Sequence, residues 1–124
     1  MNSTQKQLVD QLKKEGTIKS QLVYDTLLAI DRKFYVPSSP YYNDSPSSIG
    51  YGATISAPHM HAFALEYLEK NIVSAKNILD VGSGTGILTV AMALMAPKES
   101  KVYGIEHVPE LVEKSIVNIK NSHP

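Results

Sequence analysis

Two short stretches carry residue types that could do chemistry. Gly52–Ala62 reads GATISAPHMHA, a run with two hydroxyls (Thr54, Ser56), a proline (Pro58) and two histidines one residue apart (His59, His61). Asp80–Gly86 reads DVGSGTG, with glycines at 82, 84 and 86 and a carboxylate, Glu106, 20 positions after the last of them. The histidine pair suggests a metal, the glycines a nucleoside or nucleotide, and the hydroxyls either a catalytic group or only the start of a helix. The metal reading is weak. Residues two apart on a helix do not face one way, and the third ligand available, His107, is distant. No metal is expected.

The glycine turn is more informative. Glycines let a backbone turn tightly and approach a ligand with no Cβ in the way. A dinucleotide site has G-x-G-x-x-G spacing and faces a pyrophosphate with a helix N-terminus. Here the third glycine would fall at position 87, which is Ile87. The spacing is G-x-G-x-G, with Asp80 two residues before the first glycine. That resembles the first motif of methyltransferases that use S-adenosylmethionine. An acidic strand end also suits a ligand with an ammonium group and no phosphate. Glu106, at the end of the next strand, can accept two hydrogen bonds from a ribose diol. A ligand-free βα turn and a dinucleotide site stand as alternatives.

Composition narrows the field. The chain has 124 residues, a length that suits one domain, with 43% hydrophobic and 19% charged residues. Twelve basic and twelve acidic residues cancel, so no basic field points to nucleic acid or to an anionic membrane. There is no cysteine, which excludes disulfides, thiolate metal sites and a cysteine nucleophile. The N-terminus is polar and amphipathic with no apolar signal core, and no run approaches the roughly 18 residues of a membrane span. A cytoplasmic protein without nucleic-acid or membrane partners is expected.

These residues must be held by regular elements. Ser3 or Thr4 can cap a first helix with Leu8, Val9 and Leu12 as its stripe and Gly16 as its stop. Ser20 can cap a second, with Val23, Leu27 and Ile30 on one face, widened by Leu22, Leu28 and Ala29. Residues 34–52, with three prolines, five serines and four tyrosines, read as an ordered loop. The tyrosines at 35, 41, 42 and 51 favour packing over peptide binding. From Pro58 to Glu69 the pattern is helical, with Met60, Phe63, Ala64, Tyr67 and Leu68 on one face. Ser56, before Ala57 and Pro58, fits a helix N-cap. Then come a strand at Ile78–Val81, the glycine turn, an apolar helix, a second strand over KVYGIEH and an amphipathic helix. Strand, turn, helix, strand, helix is the beginning of a doubly wound α/β sheet.

With these motifs in place, the chain resembles the protein-L-isoaspartate (D-aspartate) O-methyltransferase family. The resemblance rests on DSPSSIGYGATISAPHMHAFALEYL, ILDVGSGTGILT, KVYGIEHVPELVEKSIVNI and LLAIDRKFYVP, and runs from about Leu8 to the last residue. It implies a Rossmann-like fold, S-adenosylmethionine as methyl donor with S-adenosylhomocysteine as product, and isoaspartyl peptides and proteins as partners. The implied activity is protein repair by methylation of the free isoaspartyl carboxylate. It implies that Ser56 orients that carboxylate, and that Ala53, Thr54 and Ile55 help form the pocket. It further implies that His61, Asp80, Gly82, Gly84 and Thr85 line the cofactor region, Glu106 holds the ribose and His107 lies beside the adenine. Such chemistry needs little from side chains. The carboxylate, with a pKa of about 4, is already ionised, and a sulfonium is already an activated donor, so neither base nor metal is required.

The organisation expected is 1–57 as N-terminal helices and substrate-side loop, and 58–124 as the first half of the cofactor-binding domain. The implied fold continues with further strands, so a truncated chain is expected. It would self-associate through an open sheet edge, or persist as an inactive fragment that only binds cofactor or peptide.

Overall fold

The first helix starts where a hydroxyl can satisfy a free N–H. Thr4 accepts from the Gln7 N–H and opens α1 (Gln5–Lys14); Ser20 accepts from the Val23 N–H and opens α2 (Gln21–Leu28). The computed structural model, which describes residues 1–124, continues with a 3-10 turn (Arg32–Phe34), β1 (Ser47–Gly50), β2 (Ala53–Ile55), α3 (Pro58–Ile72), β3 (Asn77–Val81), α4 (Ile87–Met95), β4 (Lys101–Ile105) and α5 (Pro109–Ser122). No helix is long and apolar enough to cross a membrane.

Strands β3 and β4 pair in parallel, from Asn77 opposite Lys101 to Val81 opposite Ile105, and α4 is the crossover a parallel pair needs. Helix α4 is almost wholly apolar and packs against α2, α3, α5 and both strands. One core runs through the chain on both sides of residue 57, from Val9, Val23 and Tyr35 to Leu65, Met92 and Leu111. The loop read over residues 34–52 contains an unforeseen strand. Strand β1 pairs antiparallel with β2, Ser48 opposite Thr54, and buries Ile49 and Ile55. Its turn places Gly50, Tyr51 and Gly52 at φ of 87°, 56° and 72°. Tyr51 is held in this left-handed conformation while the Lys114 ammonium sits 5.3 Å from its ring. Of the other tyrosines, Tyr35 and Tyr42 are buried in packing roles.

Two apolar faces differ from expectation. On α3 the residues at the core are Pro58, His61, Ala62, Leu65 and Ile72, whereas Met60, Phe63, Tyr67 and Leu68 are exposed. The helix carries two stripes, and fully buried Ala62 lets it approach its neighbours where the larger stripe could not. On α2, Leu28 is exposed. In the β3–β4 sheet, Ile78 and Val102 pack on the core, while Leu79, Val81, Tyr103 and Ile105 form a second face, each more than half exposed.

The two stripes of α3 should respond differently to truncation. Leu65→Ala is expected to lower unfolding free energy by about 2–4 kcal/mol, and Phe63→Ser to change it by no more than about 0.5 kcal/mol. Urea denaturation followed by circular dichroism checks both; equal losses would place the working face elsewhere.

Candidate functional site

A cavity of about 240 Å³ lies where three parts of the chain meet. The end of β2 and the residue after it supply Thr54, Ile55 and Ser56. The end of β3 and the glycine turn supply Asp80 to Thr85, and the helices supply His61, Ile87 and Leu88.

The glycine turn is shaped by backbone conformation and by a carboxylate. Gly82, Gly84 and Gly86 all have positive φ. The N–H groups of Gly82 and Ser83 both donate to the Ile105 carbonyl, and the Gly86 N–H donates to the Ser83 carbonyl. The Gly84 N–H donates to Glu106 Oε1 at 2.9 Å, and the Val108 N–H to Glu106 Oε2 at 3.1 Å. Glu106 thus ties the glycine turn to the start of α5, and these two N–H groups hold its carboxyl below the usual range. With so many donors engaged inside the protein, the turn offers little to a pyrophosphate. It suits a ligand without phosphates.

Two glycines allow close approach. A Cβ at Gly86 would lie 2.9 Å from the Ile119 side chain of α5. A Cβ at Gly104, in β4, would lie 2.9 Å from the Ser83 Cβ and 3.2 Å from Thr89 Oγ1. The bare strand is what lets the turn lie against the sheet. Beside it, Asp80 Oδ2 accepts from Thr89 Oγ1 at 2.7 Å. Burial raises the Asp80 carboxyl, and this hydrogen bond opposes the rise.

The Thr54–Ser56 segment is held from behind. Ser56 does not cap α3; the N-cap position is Ala57, with no side-chain cap. The Asp44 carboxylate does that work from 15 residues away, accepting from the His59 N–H at 2.8 Å and contacting His59 Nδ1 at 2.8 Å. This leaves Ser56 exposed on the cavity wall. Its carbonyl accepts from Arg32 Nη2 at 2.9 Å. His61 is buried, and burial together with the nearby Arg32 charge lowers its pKa to about 4. It is a neutral wall of the cavity at neutral pH.

Of the residues singled out from the sequence, Thr54, Ile55, Ser56, His61, Asp80, Gly82, Gly84 and Thr85 line this cavity. Three do not. Ala53 is paired opposite Gly50 and packs on the core, Glu106 acts through Gly84, and the His107 side chain is 94% exposed, 3.3 Å from Glu106. Sequence reasoning missed Ser83, Arg32 and Asp44. Ser83 could have been taken from its place between two glycines. Arg32 and Asp44 carried no local signal, because their partners are 24 and 15 positions away.

The protein-L-isoaspartate(D-aspartate) O-methyltransferase family matches residues 2–124. A protein-L-isoaspartate O-methyltransferase of Caenorhabditis elegans is 49% identical over 121 residues, covering 98% of this chain and 53% of the relative. Protein-L-isoaspartate O-methyltransferase 1 of Arabidopsis thaliana is 48% identical over 118 residues, 94% of this chain and 51% of the relative. A crystal structure from Plasmodium falciparum, assigned to the same activity and in complex with S-adenosyl-L-homocysteine, superposes with a TM-score of 0.93 at 42% identity. It covers 99% of this chain and 58% of that one. The chain spans about half the length of the curated relatives it matches. The fold is therefore the Rossmann-like α/β fold of S-adenosylmethionine-dependent methyltransferases.

The Glu106 clamp has a pH signature. A carboxyl lowered in the folded state stabilises the fold at pH values above its unfolded pKa of about 4.3, and the contribution fades as pH falls through the folded value. Melting temperatures at pH 7 and pH 3.5 are expected to differ less in Glu106→Gln than in the unchanged chain. An equal difference in both would remove Glu106 from the clamp.

Proposed function

The chain belongs to the protein-L-isoaspartate (D-aspartate) O-methyltransferase family, and from that premise we propose that it takes part in repairing damaged proteins in the cytoplasm. The reaction is methyl transfer from S-adenosylmethionine to the free carboxylate of L-isoaspartyl and D-aspartyl residues. The observation that carries this reading is the shared cavity, in which the exposed Ser56 faces the same space as the glycine turn.

The residues suit the cofactor. Asp80 offers a carboxylate to its ammonium group. The engaged N–H groups of the turn leave no phosphate cradle. Glu106 Oε1 takes one backbone N–H and keeps a lone pair for a ribose hydroxyl, while Oε2 takes the Val108 N–H and faces His107 Nδ1 at 3.3 Å. In the reading offered by family resemblance, His107 lies beside the adenine, and Ala53, Thr54, Ile55, His61 and Thr85 shape the pocket. When bound, the sulfonium supplies an activated methyl group. The side chains then have to orient the substrate and keep the cavity dry. Ser56 can donate its hydroxyl proton in a hydrogen bond to one carboxylate oxygen, leaving the other to accept the methyl group. The substrate enters ionised, so no side chain removes a proton.

A second reading, binding without turnover, draws support from the bare sheet face of Leu79, Val81, Tyr103 and Ile105. Methyl incorporation from labelled S-adenosylmethionine into an isoaspartyl peptide, with its aspartyl counterpart as control, separates the two. Selective incorporation is expected, and Ser56→Ala should lower it by about ten- to a hundredfold with S-adenosylhomocysteine affinity unchanged. Equal incorporation into both peptides would end the repair reading. Cofactor binding without incorporation would favour the second.

The same bare face and the unpaired edge of β3 favour self-association. Sedimentation velocity is expected to show dimers or larger species that grow with concentration. A monomer across the range would rule this out.

A further inference from the structure

Arg32 is the one permanently charged side chain in the buried set, 2% exposed. Its surroundings are unusual for a buried cation. None of the ion pairs of the chain includes it. Asp44, the carboxylate that influences it electrostatically, is engaged with the ring and N–H of His59. Buried charges are normally paired, because their desolvation otherwise goes uncompensated.

The rest of the local structure holds Arg32 in place. Its backbone N–H donates to Gln5 Oε1 at 3.0 Å, and Gln5 Nε2 donates to the Leu27 carbonyl at 2.9 Å. Asp31 caps the 3-10 turn that Arg32 begins. The guanidinium is thereby directed at the Ser56 carbonyl. His61 borders both the narrow gap beside Arg32 and the main cavity, and it is neutral at physiological pH. The positive charge behind this wall is therefore that of Arg32 alone.

We infer that Arg32, a buried cation in no ion pair, is a positioning residue that favours the substrate carboxylate. Through the Ser56 carbonyl it fixes the segment that presents the hydroxyl, and its charge favours an anion on the far side of that residue. The inference rests on the proposed function and extends it: it names the group that makes the site select a carboxylate over an uncharged isostere. With Ser56 between the buried guanidinium and the cavity, the attraction amounts to about tenfold or more in affinity.

Titration calorimetry of the chain saturated with S-adenosylhomocysteine tests this. The two ligands are an isoaspartyl peptide and its isoasparagine counterpart, in which the carboxylate becomes a carboxamide. The unchanged chain is expected to prefer the carboxylate by about tenfold or more. Arg32→Met should bring the ratio to about one, and Arg32→Lys should keep it within about threefold of the original, both with S-adenosylhomocysteine affinity preserved. A ratio that survives in Arg32→Met overturns the inference. So does a ratio lost in folded Arg32→Lys, which decides the matter if Arg32→Met does not fold. If the unchanged chain binds both peptides equally, the inference falls and the repair reading stands. If it binds cofactor but neither peptide, both fall.

Discussion

Helix α4 sets the terms for everything around it. Ile87–Met95 contains no charged residue, and its only hydroxyl, Thr89, is bonded to Asp80. A helix of this kind cannot lie on a surface; it needs neighbours on nearly every side. The chain supplies α2, α3, α5 and the β3–β4 sheet. The glycine turn is the N-terminal lead-in to this helix. The site is therefore anchored to a helix packed against three others and the sheet, and its geometry follows from core packing more than from the loop.

On that anchor, polar contacts of long sequence range place the remaining groups. Glu66 of α3 accepts the Lys19 and Ser20 N–H groups and so fixes the start of α2. Gln5 bridges the end of α2 and the 3-10 turn, and Asp44 supplies the cap that α3 lacks locally. Each carboxylate or amide satisfies backbone groups that a helix end leaves open. Together they carry rigidity from the core to the segment bearing Ser56.

This division explains what could be read in the residues. Helix starts at Thr4 and Ser20, the glycine turn, and the order strand–helix–strand–helix depend on neighbours within a few positions, so they were legible. The role of Asp44 was not, nor was the burial of Arg32, since each depends on a partner brought near only by folding. Ser56 illustrates the limit: its sequence context fits a cap, yet a distant carboxylate takes that role and frees the hydroxyl. The α3 face was misjudged for a related reason. Periodicity identifies apolar stripes, but two were present. The choice between them fell to Ala62, whose small size lets the helix pack closely.

Gly104 carries a consequence for how the pocket is encoded. It does not itself line the cavity, yet a Cβ there would lie 2.9 Å from the Ser83 Cβ and 3.2 Å from Thr89 Oγ1, so any side chain presses on the glycine turn from behind. Information about the shape of the candidate site is thus stored on a neighbouring strand, as the absence of atoms. A redesign that varied only the lining residues would leave this restriction untouched. One that diversified β4 for strand propensity, where glycine looks like the obvious residue to replace, would displace Ser83 and strain the cavity wall without altering a single lining residue.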